Sequence, residues 1–339
     1  IHDLQKQRWR TQAEAGIDIV PANDLSVYDH VLDTAWMVGA IPETHRQIQD
    51  DPSLETYFAM ARGHTGEEGT ETEALEMTKW FDTNYHYIVP ELTPDQSFEY
   101  HSANPVRDYR RADELGYDAR PVILGPVSFL QLSKANGDFS TLQLLDELLP
   151  VYEKLLADLE NAGASRIQID EPCLVLDQSP EAKEAYRSAY GQIQPTHSLT
   201  TTLTTYFGEL RDNLELAFDL PVEGVHLDLV RGSELTEALE FVDDNQHLSL
   251  GLIDGRNVWR ADLDAKYQTV ERAVDALGSS RVQIAPSCSL LYVPLDVERE
   301  SKLDGNLRSW LAFANRKLDE VAALTTAANE DPSAAESTF

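Results

Sequence analysis

Short apolar runs recur along the chain, and each is followed by a longer stretch whose apolar residues fall at helical spacing. Seven runs have this strand-like character: IDIVPAN (17–23), PVILGPVSF (121–129), RIQIDEP (166–172), LTTYF (203–207), GVHLDLV (224–230), LSLGLIDG (248–255) and RVQIAPSC (281–288). Strands that alternate with helices predict a parallel sheet, and nearly continuous apolar strands predict burial on both faces of that sheet.

The helical stretches between these runs are long and amphipathic. Four are clear: STLQLLDELLPVYEKLLADLENAG (140–163), LRDNLELAFDL (210–220), LDAKYQTVERAVDALG (263–278) and LRSWLAFANRKLDEVAALTTAANE (307–330). Gly163 and Gly278 stand where a glycine commonly ends a helix. We predict that residues 307–330 form one long helix.

Seven strand–helix units predict a β/α (TIM-type) barrel, which needs eight strands. The missing strand either lies upstream of residue 1 or is TKWFDTNYHY (78–87), which has strand-like content. Residues 41–119 read as a long insertion between early strands at the barrel rim, and long loops of this kind are usually functional or mobile. We therefore predict a barrel domain over residues 1–325 and a polar tail over residues 326–339.

Composition and charge narrow the candidate functions. The chain has 339 residues, of which 42% are hydrophobic, and its 27 Lys+Arg against 59 Asp+Glu give a formal charge of −32, which argues against nucleic acid or an anionic membrane as a partner. No stretch of about eighteen apolar residues and no secretory leader is visible, so we expect a cytoplasmic protein. Cys173 and Cys288 form no C-x-x-C pair, and Cys173 reads as a small buried side chain.

Functional side chains of β/α barrels follow the carboxyl ends of the strands. Applied to the seven runs, this rule selects a polar rim that would line a concave site. Its members are Asp170, Glu171, Tyr206, His226, Asp228, Asp254, Arg256, Asn257, Ser287, Cys288 and Ser289.

Two groups within this rim allow alternative readings. Asp170 and Glu171 suit a general acid and base, but neighbours in a strand point to opposite faces, so at most one faces the barrel axis and the other is free to cap a helix. Cys288, His226 and Asp254 suit a metal site, although their spacing matches no metal motif. The chain contains no G-x-G-x-x-G, Walker or G-x-S-x-G motif, so nucleotide-fold and serine-hydrolase readings lack support.

The run MTKWFDTNYHYIVPE (77–91) is the most informative part of the insertion. It interleaves aromatic rings with the polar residues Lys79, Asp82, Asn84 and His86. Aromatic faces beside amide and ammonium groups suit a flat, polar, anionic ligand. The alternative is a rim segment whose rings only pack a loop onto the barrel.

This run resembles the fingerprint of the N-terminal domain of cobalamin-independent methionine synthase, the methyltetrahydropteroyltriglutamate–homocysteine methyltransferase family. Ten further segments resemble that domain in the same order, over about residues 5 to 325: QAEAGIDIVP (12–21), YDHVLDTA (28–35), PVILGPVSFL (121–130), LLPVYEKLLADL (148–159), IQIDEPCLV (167–175), LTTYF (203–207), PVEGVHLDLV (221–230), GLIDGRNVWRADL (251–263), PSCSLLYVPLDVE (286–298) and RSWLAFANRKLDEV (308–321). A set of ordered segments is far more specific than any one of them.

The resemblance implies two β/α barrels with facing mouths. It implies that the C-terminal barrel, outside this chain, holds a zinc ion that activates homocysteine, and that the methyl group comes from 5-methyltetrahydrofolate polyglutamate. It implies no catalytic residue and no metal ligand in this chain, and it gives Lys79 a contact with the polyglutamate tail. Without assigned roles, the candidate cleft residues are Asp82, Asn84, His86, Asp170, Asp254 and Arg256.

Two departures from the family pattern shape the hypotheses. The family's opening G-x-P-R-x-G strand and the basic R-E-L-K segment after it are not visible, so the absent strand is the expected eighth one and TKWFDTNYHY belongs to the rim insertion.

The leading hypothesis is that the chain is one half of the methyltransferase, is inactive alone, and has a tail that leads toward a C-terminal zinc barrel. The alternative is a free-standing folate-binding or docking protein without catalytic activity.

Overall fold

The computed structural model describes residues 1–46, 48, 53–65 and 71–330, and its centre is one curled sheet of seven parallel strands. The sheet strands are β1 (Val20–Ala22), β5 (Ala119–Leu124), β7 (Arg166–Asp170), β8 (Thr200–Thr204), β9 (Gly224–Asp228), β10 (His247–Ile253) and β11 (Val282–Pro286), in that spatial order. Four short strands lie outside it: β2 (Met77–Lys79), β3 (His86–Ile88), β4 (Glu91–Leu92) and β6 (Lys134–Ala135). Six of the seven predicted sheet strands lie within or across their predicted runs, and the seventh is present at a shifted position.

One strand is displaced from its predicted position. The run at 203–207 was expected to be the strand, but β8 ends at Thr204. Phe207 has a φ of +77°, which an extended strand does not allow, and Phe207 N donates to Asp228 Oδ2 instead of continuing the ladder. Tyr206 therefore lies in the loop after the strand.

The sheet does not close into a full barrel within the described residues. Its edge strands are β1 and β11, and a cavity of about 900 Å³ lies between them. Arg120 on β5 reaches Gln283 on β11 across this space, with Nη1 3.3 Å from Oε1. The observed architecture is therefore an α/β fold with a curled parallel sheet.

Helices cover the outside of the sheet because each has an apolar stripe. They are α1 (His2–Glu14), α2 (His30–Met37), α3 (Glu43–Arg46), α4 (Leu54–Arg62), α5 (Asn104–Glu114), α6 (Pro126–Leu132), α7 (Leu145–Asn161), α8 (Pro180–Ile193), α9 (Leu214–Asp219), α10 (Leu235–Ala238), α11 (Leu263–Leu277), α12 (Gly305–Trp310) and α13 (Ala314–Asn329). In α7, Leu148, Tyr152, Leu155 and Leu159 follow helical spacing and are fully buried. No helix among the described residues is long and apolar enough to cross a membrane.

The predicted single helix over 307–330 is wrong. Helix α12 ends at Trp310 and α13 begins at Ala314. Between them, Leu311 forms an antiparallel bridge with Trp259, and Ala312 N donates to Val258 O at 2.8 Å. Pairing with the segment after β10 satisfies these backbone groups and buries the side chains of residues 311–313, so it replaces the helical turn. Of the predicted tail at 326–339, residues 326–329 belong to α13 and residues 331–339 lie outside the described residues.

The insertion between β1 and β5 holds α3, α4 and an antiparallel hairpin of β2 and β3. Residues 78–87 therefore form no strand of the main sheet, which agrees with their assignment to the rim. Leu32, Tyr57, Met60 and Ile88 form a small core beneath this region. Helix α5, at the end of the predicted insertion, packs against β1 and β5 and belongs to the helical layer.

Candidate functional site

The β2–β3 hairpin presents two cationic or ionisable side chains on one exposed face. Lys79 is directly opposite His86 in the antiparallel register, and both residues are exposed. Directly opposed residues of a hairpin share one face of the ribbon. Over the described part of the chain, the Lys79 ammonium has no hydrogen-bond or ion-pair partner, whereas His86 Nδ1 lies 3.1 Å from the carbonyl oxygen of Asn84.

The turn that joins the two strands, residues 80–85, is held by one buried ring. Trp80 is fully buried and meets His30 edge to face, with the ring centroids 4.3 Å apart. Thr83 closes the turn, since its hydroxyl donates to Trp80 O at 2.6 Å and accepts from Tyr85 N at 3.0 Å. Phe81 has a φ of +49°, an uncommon conformation for a bulky residue. The turn is thus a defined structure rather than an open loop.

Asp82, at the tip of the turn, lies between two arginines of the strand-end loops. Arg256 donates to Asp82 Oδ1 and, at 3.0 Å, to the Asp82 carbonyl oxygen, and Arg231 Nη1 lies 3.3 Å from Oδ2. Partial burial raises the pKa of Asp82, but the hydrogen bonds and charges of Arg256 and Arg231 outweigh it, and the pKa lies below its usual value. The carboxylate therefore stays ionised and bridges the hairpin to the sheet.

Each of these arginines is oriented by an aspartate at a strand end. After β9, Asp228 Oδ1 accepts from Val230 N at 3.0 Å and from Arg231 N at 2.9 Å. After β10, Asp254 Oδ1 accepts from Arg256 N at 2.7 Å. Aspartates that bond backbone N–H groups two or three residues ahead make tight turns. Asp254, a predicted cleft residue, therefore shapes the loop that carries Arg256.

Two further polar side chains, Asn257 and Lys317, stabilise the loop that follows Asp254. Asn257 Nδ2 donates to Asp254 Oδ2 at 2.6 Å. The fully buried Lys317 of α13 points at the same loop, with Nζ 3.2 Å from Trp259 O and 3.4 Å from Asn257 Oδ1. Burial lowers the pKa of Lys317, and the charges of Glu320 and Asp254 oppose that shift. The position of Arg256 is thus fixed through a buried polar network.

An aromatic cluster joins the turn to the carboxyl ends of the sheet strands. Phe81 lies against Phe207 with ring centroids 5.4 Å apart, and Phe207 in turn contacts Tyr206 and Tyr292. The Arg256 guanidinium carbon is 5.2 Å from the Phe207 ring centroid. A cation over an aromatic face adds attraction to packing, so Arg256 is held from two sides.

Asp170 lies apart from this rim, inside the curled sheet. Its carboxylate accepts from Tyr206 Oη at 3.1 Å and from Gln168 Nε2 at 2.8 Å. Burial raises the pKa of Asp170 to about 6, opposed by these hydrogen bonds and by Arg120. Burial lowers the pKa of Arg120 to about 10. Asp170 therefore belongs to an interior polar cluster that lines the cavity rather than to the hairpin site.

Glu171 points away from Asp170 and caps a helix, as the alternation of strand faces predicted. It is fully buried, and its carboxylate accepts from Ser128 N (2.7 Å), Val127 N (3.3 Å) and Tyr190 Oη (3.2 Å). These amides open α6, so the carboxylate satisfies donors that have no partner within the helix. Burial raises the pKa of Glu171 to about 7 against these hydrogen bonds. An acid–base pair with Asp170 is not formed.

The proposed metal set of Cys288, His226 and Asp254 does not form. Among the described residues, no group of three or more His, Cys, Asp or Glu side chains is arranged to hold a metal ion. His226 Nδ1 is 2.9 Å from Ser249 Oγ, and burial lowers the pKa of His226 to about 4. Burial raises the pKa of the Cys288 thiol to about 12, which disfavours the thiolate that a metal needs.

The structure thus brings together some predicted residues and separates others. Asp82 and Arg256 touch, Asp254 supports them, Asn84 and His86 share the hairpin, and Asp170 lies elsewhere. Sequence reasoning missed Arg231 and Phe207 as rim residues. A signal for Arg231 was present, because LDLVR after β9 repeats the aspartate-then-arginine order of IDGR after β10.

Comparison with known proteins gives a consistent family. Residues 1–278 match the family profile described as cobalamin-independent synthase, N-terminal domain. The chain is 50% identical over 343 aligned positions to the 5-methyltetrahydropteroyltriglutamate–homocysteine methyltransferase of Salinibacter ruber, covering 99% of this chain and 45% of the relative. A protein of the same name from Xylella fastidiosa is 49% identical, covering 98% of this chain and 44% of the relative. The chain therefore spans less than half the length of these relatives.

Solved structures share the fold at low sequence identity. A B12-independent methionine synthase from a Shewanella species, in complex with selenomethionine, superposes with a TM-score of 0.66 at 14% identity, covering 97% of this chain and 86% of that one. A methyltransferase from Methanosarcina mazei superposes with a TM-score of 0.51 at 16% identity, covering 96% of this chain and 98% of that one. At such identities the likeness concerns the fold alone.

Proposed function

The chain belongs to the cobalamin-independent synthase family as its N-terminal domain, and on that premise we propose that it is the folate-tail-binding half of a methyltransferase. The complete protein would transfer the methyl group of 5-methyltetrahydropteroyltriglutamate to homocysteine and release methionine. The relatives of that name are more than twice as long as this chain, and the proposal assigns the chemical step to the part that they have in addition.

The observation that carries this proposal is the exposed Lys79 ammonium at the hairpin. The Lys79 side chain is exposed and has no carboxylate partner among the described residues, although the chain carries a formal charge of −32. A γ-linked glutamate tail is a row of carboxylates, and a lysine ammonium is a good point-charge partner for such a group. His86, opposite Lys79 on the same exposed face, extends this surface with a second nitrogen-bearing side chain.

Zinc and homocysteine belong to the same proposal but not to this chain. The family resemblance implies a zinc ion bound by one histidine, two cysteines and one glutamate of the C-terminal barrel, and the described residues offer no such group. Both cysteines of the chain are buried. We therefore assign zinc, homocysteine and the facing catalytic barrel to the remainder of the protein, and a cytoplasmic location stays a prediction.

Replacing Lys79 by alanine tests the tail contact. In the complete gene product, Lys79→Ala is expected to weaken binding of the triglutamate folate by about 1–2 kcal/mol, because a hydrogen bond to a charged group is lost. Binding of the monoglutamate should change less, since fewer carboxylates reach the hairpin. Isothermal titration calorimetry with both folates measures the difference.

The control for Lys79→Ala removes the same charge elsewhere. Lys302 is exposed and forms no hydrogen bond or ion pair within the described residues, so Lys302→Ala is expected to leave both affinities unchanged. Equal weakening of the triglutamate and the monoglutamate by Lys79→Ala would show that Lys79 supports the fold instead of the tail.

We also propose that the sheet closes into a full β/α barrel in the complete protein, by an eighth strand between β1 and β11. The edges of both strands border the same cavity, and an open edge leaves backbone groups without partners. Amide hydrogen exchange checks this: the amides of residues 282–285 that exchange in the isolated chain should be protected at least about tenfold in the complete gene product. Equal exchange in both forms would exclude closure at this edge.

A further inference from the structure

The hairpin that carries Lys79 is fixed at its base by buried contacts. Ile88 N donates to the buried Asp29 carboxylate at 2.9 Å. The Tyr87 hydroxyl donates to Leu132 O at 3.1 Å, which ties β3 to the C-terminal end of α6. Because these groups are buried, the base of the hairpin is expected to stay in place when its exposed tip is altered.

The tip is attached by different means. Both Asp82 carboxylate oxygens are engaged by arginines from two separate strand ends, and Arg256 also binds the Asp82 carbonyl oxygen. The Asp82 side chain is 58% exposed, and those of Arg231 and Arg256 are 43% and 16% exposed. We call this group of three residues the Asp82 clasp. It joins the rim insertion to the loops after β9 and β10.

The conformation of the turn requires such an attachment. Phe81 and Phe207 both have positive φ values, +49° and +77°, and their rings pack together. Bulky residues in this region of backbone space are strained and persist only where their surroundings hold them. Phe81 is held by the Phe207 ring, and Phe207 is held by Asp228 and by Arg256. The Asp82 clasp therefore stabilises a strained turn that begins one residue after Lys79.

We infer that Asp82 is a positioning residue for anion binding: through Arg231 and Arg256 it fixes the turn and so holds Lys79 where the polycarboxylate tail meets it. This inference rests on the proposed function of Lys79. A different role for Asp82 predicts the opposite change in affinity for the tail when its charge is removed. If Asp82 merely masked two arginines that themselves bind the tail, removing its charge would tighten binding.

The test uses the complete gene product and measures kcat and KM with triglutamate and with monoglutamate folate. Asp82→Asn keeps the shape and removes the charge. It is expected to raise KM for the triglutamate about fivefold, the size expected for a small network of partly exposed charges, with kcat unchanged. KM for the monoglutamate should stay within about twofold, because the clasp acts through the tail contact.

Three further variants sharpen the result. Asp82→Glu keeps the charge and is expected to recover most of the triglutamate KM. Arg231→Gln removes only the longer and more exposed ion pair, so its KM should rise by about twofold, and it serves if Asp82→Asn proves unstable. Asp95→Asn removes an equal charge from an exposed loop residue of the same insertion and is expected to leave KM unchanged.

The outcomes distinguish a failure of this inference from a failure of the proposed function on which it rests. A lower triglutamate KM in Asp82→Asn would overturn the inference in favour of masked arginines. An unchanged KM in Asp82→Asn, with a raised KM in Lys79→Ala, would overturn the inference and leave the tail-binding function standing. If Lys79→Ala also leaves the triglutamate KM unchanged, the proposed function fails together with the inference.

Discussion

Replacing Gly125 by alanine is expected to lower the free energy of unfolding by about 3 kcal/mol or more, because the new methyl group has no space. A Cβ at this position would lie 2.1 Å from Glu171 Oε1, 2.2 Å from Cδ and 2.6 Å from Cγ. The Glu171 side chain is not free to swing away, since two amides of α6 and the Tyr190 hydroxyl hold its carboxylate in a fully buried site. Moving it would leave a buried carboxylate and several donors without partners.

Gly125 isolates this steric effect because its backbone is ordinary. Its φ of −70° and ψ of 152° suit any residue, so alanine adds no backbone strain. The matched control is Gly191→Ala, in the exposed last turn of α8, where a Cβ meets no atom within 4 Å. Alanine there is expected to raise stability by about 0.5–1 kcal/mol, because glycine is a poor helix former.

Urea unfolding monitored by circular dichroism measures both glycine variants against the unchanged chain. Opposite signs are expected, with Gly125→Ala shifting the midpoint far down and Gly191→Ala shifting it slightly up. A Gly125→Ala variant as stable as the parent would mean that Glu171 does not occupy the position described here.

The second large effect concerns pH. The pKa of Asp29 is raised to about 7 by burial, against hydrogen bonds from Leu32, Ile88 and Val31, and the pKa of Glu171 is raised to about 7 by burial. In an unfolded chain both groups titrate near their usual values of about 4. Protonation therefore favours the folded state, and the stability that it contributes is fully present below about pH 4 and is lost as pH rises through about 7.

Burial also lowers the pKa values of His30, His226 and His247 to about 4, and these groups add stability as pH rises over the same range. The carboxyls Asp29 and Glu171 alone are expected to lower the free energy of unfolding by roughly 5 kcal/mol between pH 5 and pH 8, on the order of two protons released over about two pH units. Repulsion among the acidic side chains acts in the same direction, because the net negative charge grows with pH. Urea midpoints at half-unit pH steps, at constant ionic strength, measure the slope. The same pH dependence in the parent and in Glu171→Gln would contradict the raised pKa of Glu171.

Glu171→Gln separates the effect of this buried carboxyl on the pH dependence of stability from the effect of the net charge of the chain. An amide in this site can still accept from Ser128 N, and its NH₂ can donate to the Tyr190 oxygen, so most of the cap remains. The variant cannot titrate. Between pH 5 and pH 8 its free energy of unfolding is expected to fall by about 2–3 kcal/mol less than that of the parent, since one group with a raised pKa is removed.

Several features of the candidate site were accessible from sequence because they depend on local geometry. The split between Asp170 and Glu171 follows from the two faces of a strand, and the structure places Asp170 inside the curled sheet and Glu171 on a helix N-terminus. The turn-forming role of Asp254 was not predicted, although aspartate followed by glycine and arginine is a turn signal.

Other features depend on residues far apart in the chain. Asp82 and Arg256 were both named as candidates, but they are separated by 174 positions, and nothing in either local pattern says that they touch. Arg231 also contacts Asp82, and its local sequence pattern likewise does not predict this contact. The prediction of one helix over 307–330 was wrong because the helical spacing of apolar residues continues through 311–313. The backbone partner that replaces the helical turn, at Val258 and Trp259, is distant in sequence.

By itself, the sequence determined the seven strands, their alternation with helices and the family, because hydrophobic periodicity and ordered motifs are local or cumulative signals. Only the tertiary structure decided that β8 ends before Tyr206, that the sheet stays open between β1 and β11 over the described residues, and that Asp82 fastens the Lys79 hairpin to the rim. Each of these depends on contacts between backbone and charged groups that are distant in the chain. No short stretch of sequence determines the energy of such contacts.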